Sequence, residues 1–445
     1  MTDVLIAGAG PTGLWLAAEL RLQGVAVTVL EARRERSPHS KALTLHPRTL
    51  EIFAMRGIAD RFTTAGLPVP TGHFGALENR LDFAVLDTPF PYTLFLPQVR
   101  TEELLEEHAR ALGADIRWGH RVTGLAQDAD GVTVEVEGGE RLHAQYVVGC
   151  DGTRSTVRQA AGIGFPGTDA TVWGWLGDVV LDEPPAQPVN VAGEDGGVML
   201  VPLPGGISRI VGHTPEDQGA HPGELTFDEL RAKTTRVLGT DFGMRDPHWL
   251  SRFGNATRQA VRYRSGRVFL AGDAAHMHFP AGGVGLNVGV QDATNLGWKL
   301  AAAVHGTAED GLLDSYHAER HPVGAALLEH TRAQTALMTA YTPEGRALRS
   351  VLSGLIAEVP ELSRVLAERL AALDVAYPSA DPGAHPLTGT RAPDLALTDG
   401  SNLLSLLRSG EPVRLDGIQL VGAPPQWAGV RSALVRPDGY VAWAN

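Results

Sequence analysis

The hydrophobic and polar positions at the start of the chain predict a strand, a turn, a helix and a second strand. Asp3-Val4-Leu5-Ile6-Ala7 is a short apolar run suited to a buried parallel strand. Beyond the glycines, Leu14, Leu16, Ala17, Ala18, Leu20 and Leu22 are apolar, with Glu19, Arg21 and Gln23 among them, and Gly24 marks the helix end. Val25 to Leu30 reads as the next strand, stopping at Glu31. Further on, Val132-Thr133-Val134-Glu135-Val136 alternates and faces Arg141-Leu142-His143-Ala144 across a glycine turn, predicting a hairpin. Tyr146 to Cys150 and Gly266 to Ala271 read as two more strands, and Asn287 to Leu300 as a long helix with an apolar face. A helix from Glu102 to Leu112, capped by Thr101, places Leu104, Leu105, Ala109 and Leu112 on one face; its acid pairs Glu102-Glu103 and Glu106-Glu107 read as a solvated face. Between about 170 and 260, Thr171 to Leu176, Val198 to Leu203 and Ile207 to Val211 are strand-like. Residues 323 to 377 read as helical, with Leu327, Leu328, Leu337, Leu348, Leu352, Leu355 and Leu366 as apolar positions, and the region beyond about 385 as short strands and turns.

Size and composition narrow the class. At 445 residues the chain exceeds one small core, so two domains with a small third are expected. Hydrophobic content of 43% and charged content of 20% are ordinary for a soluble globular protein. No run of about 18 apolar residues appears, and the first apolar stretch is too short for a secretory signal, so the cytoplasm is the expected location, with no membrane partner. A net charge of −13 without a basic cluster argues against nucleic acid as a partner. The single cysteine, Cys150, excludes disulfides, cysteine zinc sites and dithiol chemistry, and reads as a small buried hydrophobe. His276-Met277-His278 lacks a third ligand, so no metal is expected.

The glycine turn suggests the chemistry. Gly8 permits a tight turn, Gly10 lets backbone approach a pyrophosphate, and Gly13 lets helix pack on strand. With Pro11 and Thr12 they open a helix whose N–H groups and dipole favour phosphate. Glu31, 23 residues after Gly8, would accept hydrogen bonds from ribose hydroxyls, with Ala32 and Arg33 beside it. This stretch points to a dinucleotide and leaves FAD and NAD equally open.

Two later segments bear on the cofactor: Asp151-Gly152 with Ser155 and Arg158, and Gly272-Asp273 followed by Pro280-Ala281-Gly282-Gly283-Val284-Gly285-Leu286-Asn287. Together with the glycine turn, over roughly residues 1 to 330, the chain resembles the single-component FAD-dependent aromatic hydroxylases (class A flavoprotein monooxygenases). It looks closest to bacterial polyketide-antibiotic hydroxylases and rifampicin-type monooxygenases. Gly254 to Gln259, Gln291 to Leu300, Tyr316 to Pro322 and Arg436-Pro437-Asp438-Gly439 carry that closer resemblance. The resemblance implies FAD, with Asp273 on its ribityl chain, Asp151 helping to hold Arg158 and the pyrophosphate region, and Gln98 reaching the flavin. Two departures stand out: Val284 where these hydroxylases usually carry Gln, and Lys41 where Arg often lies next to the cofactor.

The family's fold is α/β: a Rossmann-like FAD-binding domain of the 4-hydroxybenzoate-hydroxylase type, an interleaved substrate-binding β-sheet domain and a short thioredoxin-like C-terminal domain. Transferred to this chain, the FAD-binding domain takes 1–72, 97–170 and 262–330, and the sheet domain 73–96 and 171–261. A helical linker takes 331–380 and the C-terminal domain 381–445. The implied activity is hydroxylation of an aromatic, polyketide-like substrate with NADPH or NADH and O2, through a flavin hydroperoxide, in secondary metabolism. Baeyer–Villiger insertion or oxidative inactivation of an antibiotic is the alternative on the same scaffold, and a non-oxygenase flavin-binding protein the alternative of another class. Catalytic roles fall to loop backbone at Pro280, Gly283 and Gly285, which would stabilise charge on the flavin. Candidate substrate contacts are Phe74, Phe95, Trp175, Met199, Val201, Arg209 and Phe279. Tyr316, Glu319, Arg320 and His321 are expected to lock their helix to the FAD domain. A monomer or homodimer is expected.

Overall fold

Six strands form the sheet that carries the glycine turn, in the order Arg264–Ser265, Val268–Leu270, Tyr146–Gly149, Val4–Ala7, Val27–Glu31 and Asp115–Trp118. All pairs are parallel except the first, which is a hairpin. Val4–Ala7 and Val27–Glu31 are buried along their whole lengths, which is why they read as unbroken apolar runs. The computed structural model describes residues 2–379, 381–416, 420–422 and 424–445.

The parallel order has one consequence for function. Ala7, Glu31, Gly149 and Leu270 end neighbouring strands at the same edge, so the glycine turn, Glu31, Asp151 and Gly272-Asp273 converge there. Ligands of such sheets bind at this carboxyl edge. Helices Pro11–Leu22, Gln98–Ala111 and Gly285–Val304 pack in one layer, and Trp15 Nε1 donates to Thr294 Oγ1 at 2.8 Å across it. The expected hairpin is present with a third strand, Val122–Gln127.

A second, antiparallel sheet has the order Val189–Gly193, Gly196–Pro202, Ile207–His213, Trp173–Leu181 and Met244–Gly254. The strand Met244–Gly254 was not expected from the sequence. Its Pro247, charged Arg245 and Asp246, and a register shift opposite Asp178 to Val180 disrupt the alternation that announces a strand. One face packs on helix Phe227–Leu238, burying Trp175, Val179, Leu200, Ile210 and Leu230 in one cluster.

The region expected to be helical holds Leu312–Met338, which continues through Pro322, then Pro343–Glu358 and Pro360–Ala371. Leu327, Leu328, Leu337 and Leu366 are buried, whereas Leu348 and Leu355 face outward and add nothing to the core. Farther on, Val413–Asp416, Ser432–Val435 and Val441–Ala444 form an antiparallel sheet. Buried guanidinium groups bind it to the first domain. Arg48 Nη2 donates to the Asp438 carbonyl at 2.7 Å, and Arg56 to the carbonyls of Leu407 and Pro437. Among the described residues, no helix is long and apolar enough to cross a membrane.

Candidate active site

The three glycines of the turn have different reasons to be glycine. Gly8 has φ +102°, and a Cβ there would stand 2.4 Å from the Cys150 carbonyl oxygen; at Gly13 it would stand 2.0 Å from the carbonyl oxygen of Gly8. Both are demanded by the protein's own packing. At Gly10 a Cβ would meet no atom within 4 Å, and no side chain caps the helix that starts there. An open cradle of main chain at a helix N-terminus is the feature a pyrophosphate fits.

Glu31 borders that cradle. Its Oε2 accepts from Ala9 N at 2.8 Å, and its Oε1 from Arg33 N and Nε, both at 3.0 Å. Burial raises its pKa, but these hydrogen bonds outweigh burial and hold the carboxyl below its ordinary value. Glu31 is therefore an ionised acceptor beside the turn. Ala32 is half-buried, and Arg33 is exposed.

Asp151 and Arg158 are linked through Ser155, whose Oγ donates to the Asp151 carboxylate and accepts from Arg158 N. The Asp151 carboxylate accepts from Ser155 Oγ and, at 3.1 Å, from Val157 N, which anchors the start of helix Thr156–Ala160. Arg158 donates to the carbonyls of Ala274 at 2.9 Å and Thr153 at 2.8 Å, and its guanidinium lies 3.8 Å over the Phe165 ring. The Ala274 bond joins the Asp151-Gly152 segment directly to the Gly272-Asp273 segment.

Gly272, at φ +61°, donates its N–H to Asp292 Oδ2 at 3.1 Å. A Cβ at Gly272 or Gly289 would press on Thr12 Oγ1, so both glycines let helix Gly285–Val304 approach the first helix. Asp273 is exposed, and among the described residues no ion pair or hydrogen bond engages its carboxylate. Behind it lies a group the sequence reading missed. Asp292, fully buried, also accepts from His276 Nε2 and Arg320 Nε, each at 2.7 Å. Burial alone would raise its pKa, yet Arg320 and His276 hold it below the ordinary value. His276 is thus fastened to a carboxylate, and among the described residues no group of three His, Cys, Asp or Glu could hold a metal. The helix carrying Arg320 is also tied by Tyr316, whose hydroxyl donates to the Leu270 carbonyl at 2.7 Å, and by Glu319, which accepts from Lys299 Nζ. His321 contributes its carbonyl, which accepts from Gln259 Nε2.

The glycine loop after Phe279 passes close to the strand end at Thr44. Gly282 and Gly283 have φ +76° and +65°, and a Cβ at Gly283 would stand 2.3 Å from Thr44 Oγ1. Asn287 fixes this approach: its Oδ1 accepts from His46 N and Thr49 Oγ1, and its Nδ2 donates to the carbonyls of Thr44 and Gly283. That side chain is fully engaged within the protein, so only its main chain is free for a ligand. Burial lowers the His46 pKa to about 4, so the ring is neutral and its Nε2 donates to the Gly282 carbonyl at 2.9 Å. Pro280 is exposed, Gly285 lies beside His278, and the first N–H groups of the helix at Gly285, Leu286 and Asn287 have no intrahelical partner. Val284 points the other way, into an apolar cluster that includes Phe74, Leu337 and Leu370.

Gln98 starts its helix, four residues earlier than expected. Thr101 therefore lies inside the helix, buried, with no partner for its hydroxyl, and does not cap it. Gln98 Oε1 accepts from Ala42 N at 3.0 Å and its Nε2 donates to Glu102 Oε1 at 2.7 Å. Glu102 is accordingly buried, not solvated, with Arg36 nearby. Lys41 is exposed beside this contact.

The expected substrate residues divide by sheet face. Trp175 packs toward helix Phe227–Leu238, on the far side from the glycine loop, because its neighbours in register place it there. The opposite face carries Met199, Val201 and Arg209, opposed in register to Val211, Arg209 and Asp178. Arg209 is buried in a two-pronged pair with Asp178, both contacts at 2.7 Å. Phe253, on the same face, meets the Phe279 ring at 5.2 Å, joining sheet to loop. Phe74 packs on His330, and Phe95 is half-buried on the strand paired with Thr44.

The family model described as FAD binding domain matches residues 1–331. An uncharacterized aromatic compound monooxygenase of Bacillus subtilis is 49% identical, over 99% of this chain and 94% of its own length. A rifampicin monooxygenase of Streptomyces venezuelae is 46% identical, over 100% and 96%. The solved structure of the anhydrotetracycline hydroxylase OxyS from Streptomyces rimosus superposes with a TM-score of 0.91 at 44% identity, covering 99% of this chain and 95% of that one. With the FAD binding domain matched over most of its length and relatives aligned from end to end, the chain belongs to the FAD-dependent aromatic monooxygenases.

Proposed function

We propose that this enzyme inserts one oxygen atom from O2 into a polycyclic, polyketide-like aromatic compound, using NADPH or NADH as reductant. The Phe253–Phe279 contact carries this reading, because it seats the half-apolar face of the antiparallel sheet against the glycine loop. When bound, FAD supplies the redox and oxygen chemistry. The chain's residues bind and orient it and exclude water. The Gly10 cradle takes the pyrophosphate, Glu31 the adenosine ribose, and Asp273 the ribityl chain. Free N–H groups at Gly285 to Asn287, at a helix N-terminus, stabilise negative charge on the ring. Three features support these roles: the open side of Gly10, the ionised Glu31 and the unengaged Asp273 carboxylate.

The test is direct. Purified protein is expected to be yellow and to release FAD on denaturation, with Asp273→Ala weakening its retention. A panel of polycyclic phenols should accelerate NAD(P)H oxidation and yield a product heavier by one oxygen, and product NMR separates ring hydroxylation from Baeyer–Villiger insertion. Flat oxidation rates and unchanged masses across the panel would sink the proposal.

A further inference from the structure

The sheet face opposite Trp175 has a polar edge with no role in holding the fold's main chain. His213 ends the strand Ile207–His213, and its Nδ1 lies 2.7 Å from the hydroxyl of Tyr341, on the turn between helices Leu312–Met338 and Pro343–Glu358. Among the described residues, neither His213 Nε2 nor the Tyr341 hydroxyl has any other protein partner.

Register places this pair relative to the flavin loop. His213 is opposite Gly197, and Phe253 is opposite Gly174. The pairing of Trp175 with Gly212 puts Gly174 next to His213, so all four share one row across the sheet. The two rings lie down on the two glycines: a Cβ at Gly197 would stand 2.7 Å from the His213 ring, and one at Gly174 2.3 Å from the Phe253 ring. His213 is therefore two strands from Phe253, a span of about 10 Å. Phe253 is the residue that touches Phe279 of the loop. The next row along the same face holds Met199, Val211, Leu176 and Ser251, a mostly apolar floor. A cavity of ≈ 380 Å3 opens between the edge strand, at Ala192 and Gly193, and the helices that flank the turn of Tyr341, at Met338, Ala340 and Arg349.

The protons of the pair can be counted. Burial, aided by the Arg349 charge and opposed by that of Asp217, lowers the His213 pKa to about 4, so the imidazole is neutral; burial also raises that of Tyr341. A neutral imidazole and a phenol hold two protons on nitrogen and oxygen, and one lies in their mutual hydrogen bond. The other points outward, on His213 Nε2 or on the Tyr341 oxygen. Either way the pair offers one donor.

We propose that His213 and Tyr341 form a substrate-recognition element, donating a hydrogen bond to a ring carbonyl or phenolate oxygen of a polycyclic aromatic that lies along this sheet face. The pair thereby selects polycycles bearing such an oxygen about two strand spacings from the ring presented to the flavin loop. This rests on the reading of the chain as an aromatic monooxygenase, and its test reads binding separately from turnover.

The FAD-loaded enzyme is titrated with a hydroxyanthraquinone and with the matching hydroxyanthracene, which lacks the carbonyls, following the flavin absorbance change for Kd. The wild type is expected to bind the quinone about tenfold more tightly, the scale of one well-made hydrogen bond. Tyr341→Phe combined with His213→Leu removes both protons and should bring the two affinities to within about twofold while leaving FAD content unchanged. Should that double variant fail to fold, Tyr341→Phe combined with His213→Ala and the wild-type preference still decide. Absence of a wild-type preference, no binding of the quinone, or retention of the preference in a folded variant would overturn the inference. A preference that depends on both residues, with no oxygen gained by any probe, would uphold the recognition element and defeat the monooxygenase reading.

Discussion

Arg320 and Asp292 meet through Nε and Oδ1 at 2.7 Å with neither side chain exposed to solvent, although 28 residues separate them. The same carboxylate holds the Gly272 N–H and His276, so this pair sets the position of the segment that presents Asp273. Removing one partner of a buried ion pair costs about 3–5 kcal/mol, because the other is left uncompensated. Arg320→Met is therefore expected to lower the unfolding free energy by about that amount and to loosen FAD. An unfolding midpoint equal to wild type in urea would show that the pair contributes no net stability.

The opening glycines separate by role. Gly10→Ala adds a methyl group where no atom lies within 4 Å, so the apoprotein should unfold within about 0.5 kcal/mol of wild type. Its FAD affinity should nevertheless fall at least about tenfold, because the added methyl fills the cradle. Gly8→Ala, at φ +102° and against the Cys150 carbonyl, should instead destabilise the apoprotein itself by about 2 kcal/mol or more. Apoprotein denaturation and FAD titration on the two variants distinguish the roles, and equal behaviour would refute the assignment.

Glu319 makes stability acid-sensitive. It takes two hydrogen bonds from Arg436 at 2.8 Å, one from Lys299 Nζ and one from Asn295 Nδ2. Burial would raise its pKa, but Arg436 foremost lowers it from 4.5 to about 2. A depressed carboxyl stabilises fully above its unfolded value, and that stabilisation fades as pH falls from 4.5 toward 2. Glu319→Gln should lose about 3 kcal/mol at pH 7 and show a flatter decline of stability below pH 4.5. A variant whose acid denaturation curve parallels wild type would contradict this.

Val284, at the entry to helix Gly285–Val304, is buried with Phe74 and Leu337. Val284→Gln would bury an amide there without a partner, at a cost of about 1–3 kcal/mol. Thermal melting should register the loss with FAD content retained. A variant of undiminished stability would mean that the loop turns this side chain elsewhere.

Much of the fold was legible because its signals are local. Val4–Ala7 and Val27–Glu31 are buried on both faces and read as apolar runs, and the glycines at 8 and 13 answer to neighbours within the same turn or on the adjoining strand. What escaped depends on distant partners. Asp292 looks like any acid on an amphipathic helix until Gly272, His276 and Arg320 arrive around it. Glu102 reads as solvated because its partners Gln98 and Arg36 reach it only in three dimensions. Trp175 packs against helix Phe227–Leu238, a partner that alternation along its own strand does not reveal, since alternation identifies two faces without saying what covers each.

Arg48 also gives the chain a clock. The carbonyl that receives its Nη2 belongs to Asp438, 390 residues later. At about 5–20 residues per second of synthesis, the helix that carries Arg48, Pro47–Ala54, waits on the order of 20–80 s for that acceptor. During that interval the surface that will meet the C-terminal strands is uncovered, so Arg48 gains this buried acceptor only once translation has passed residue 438.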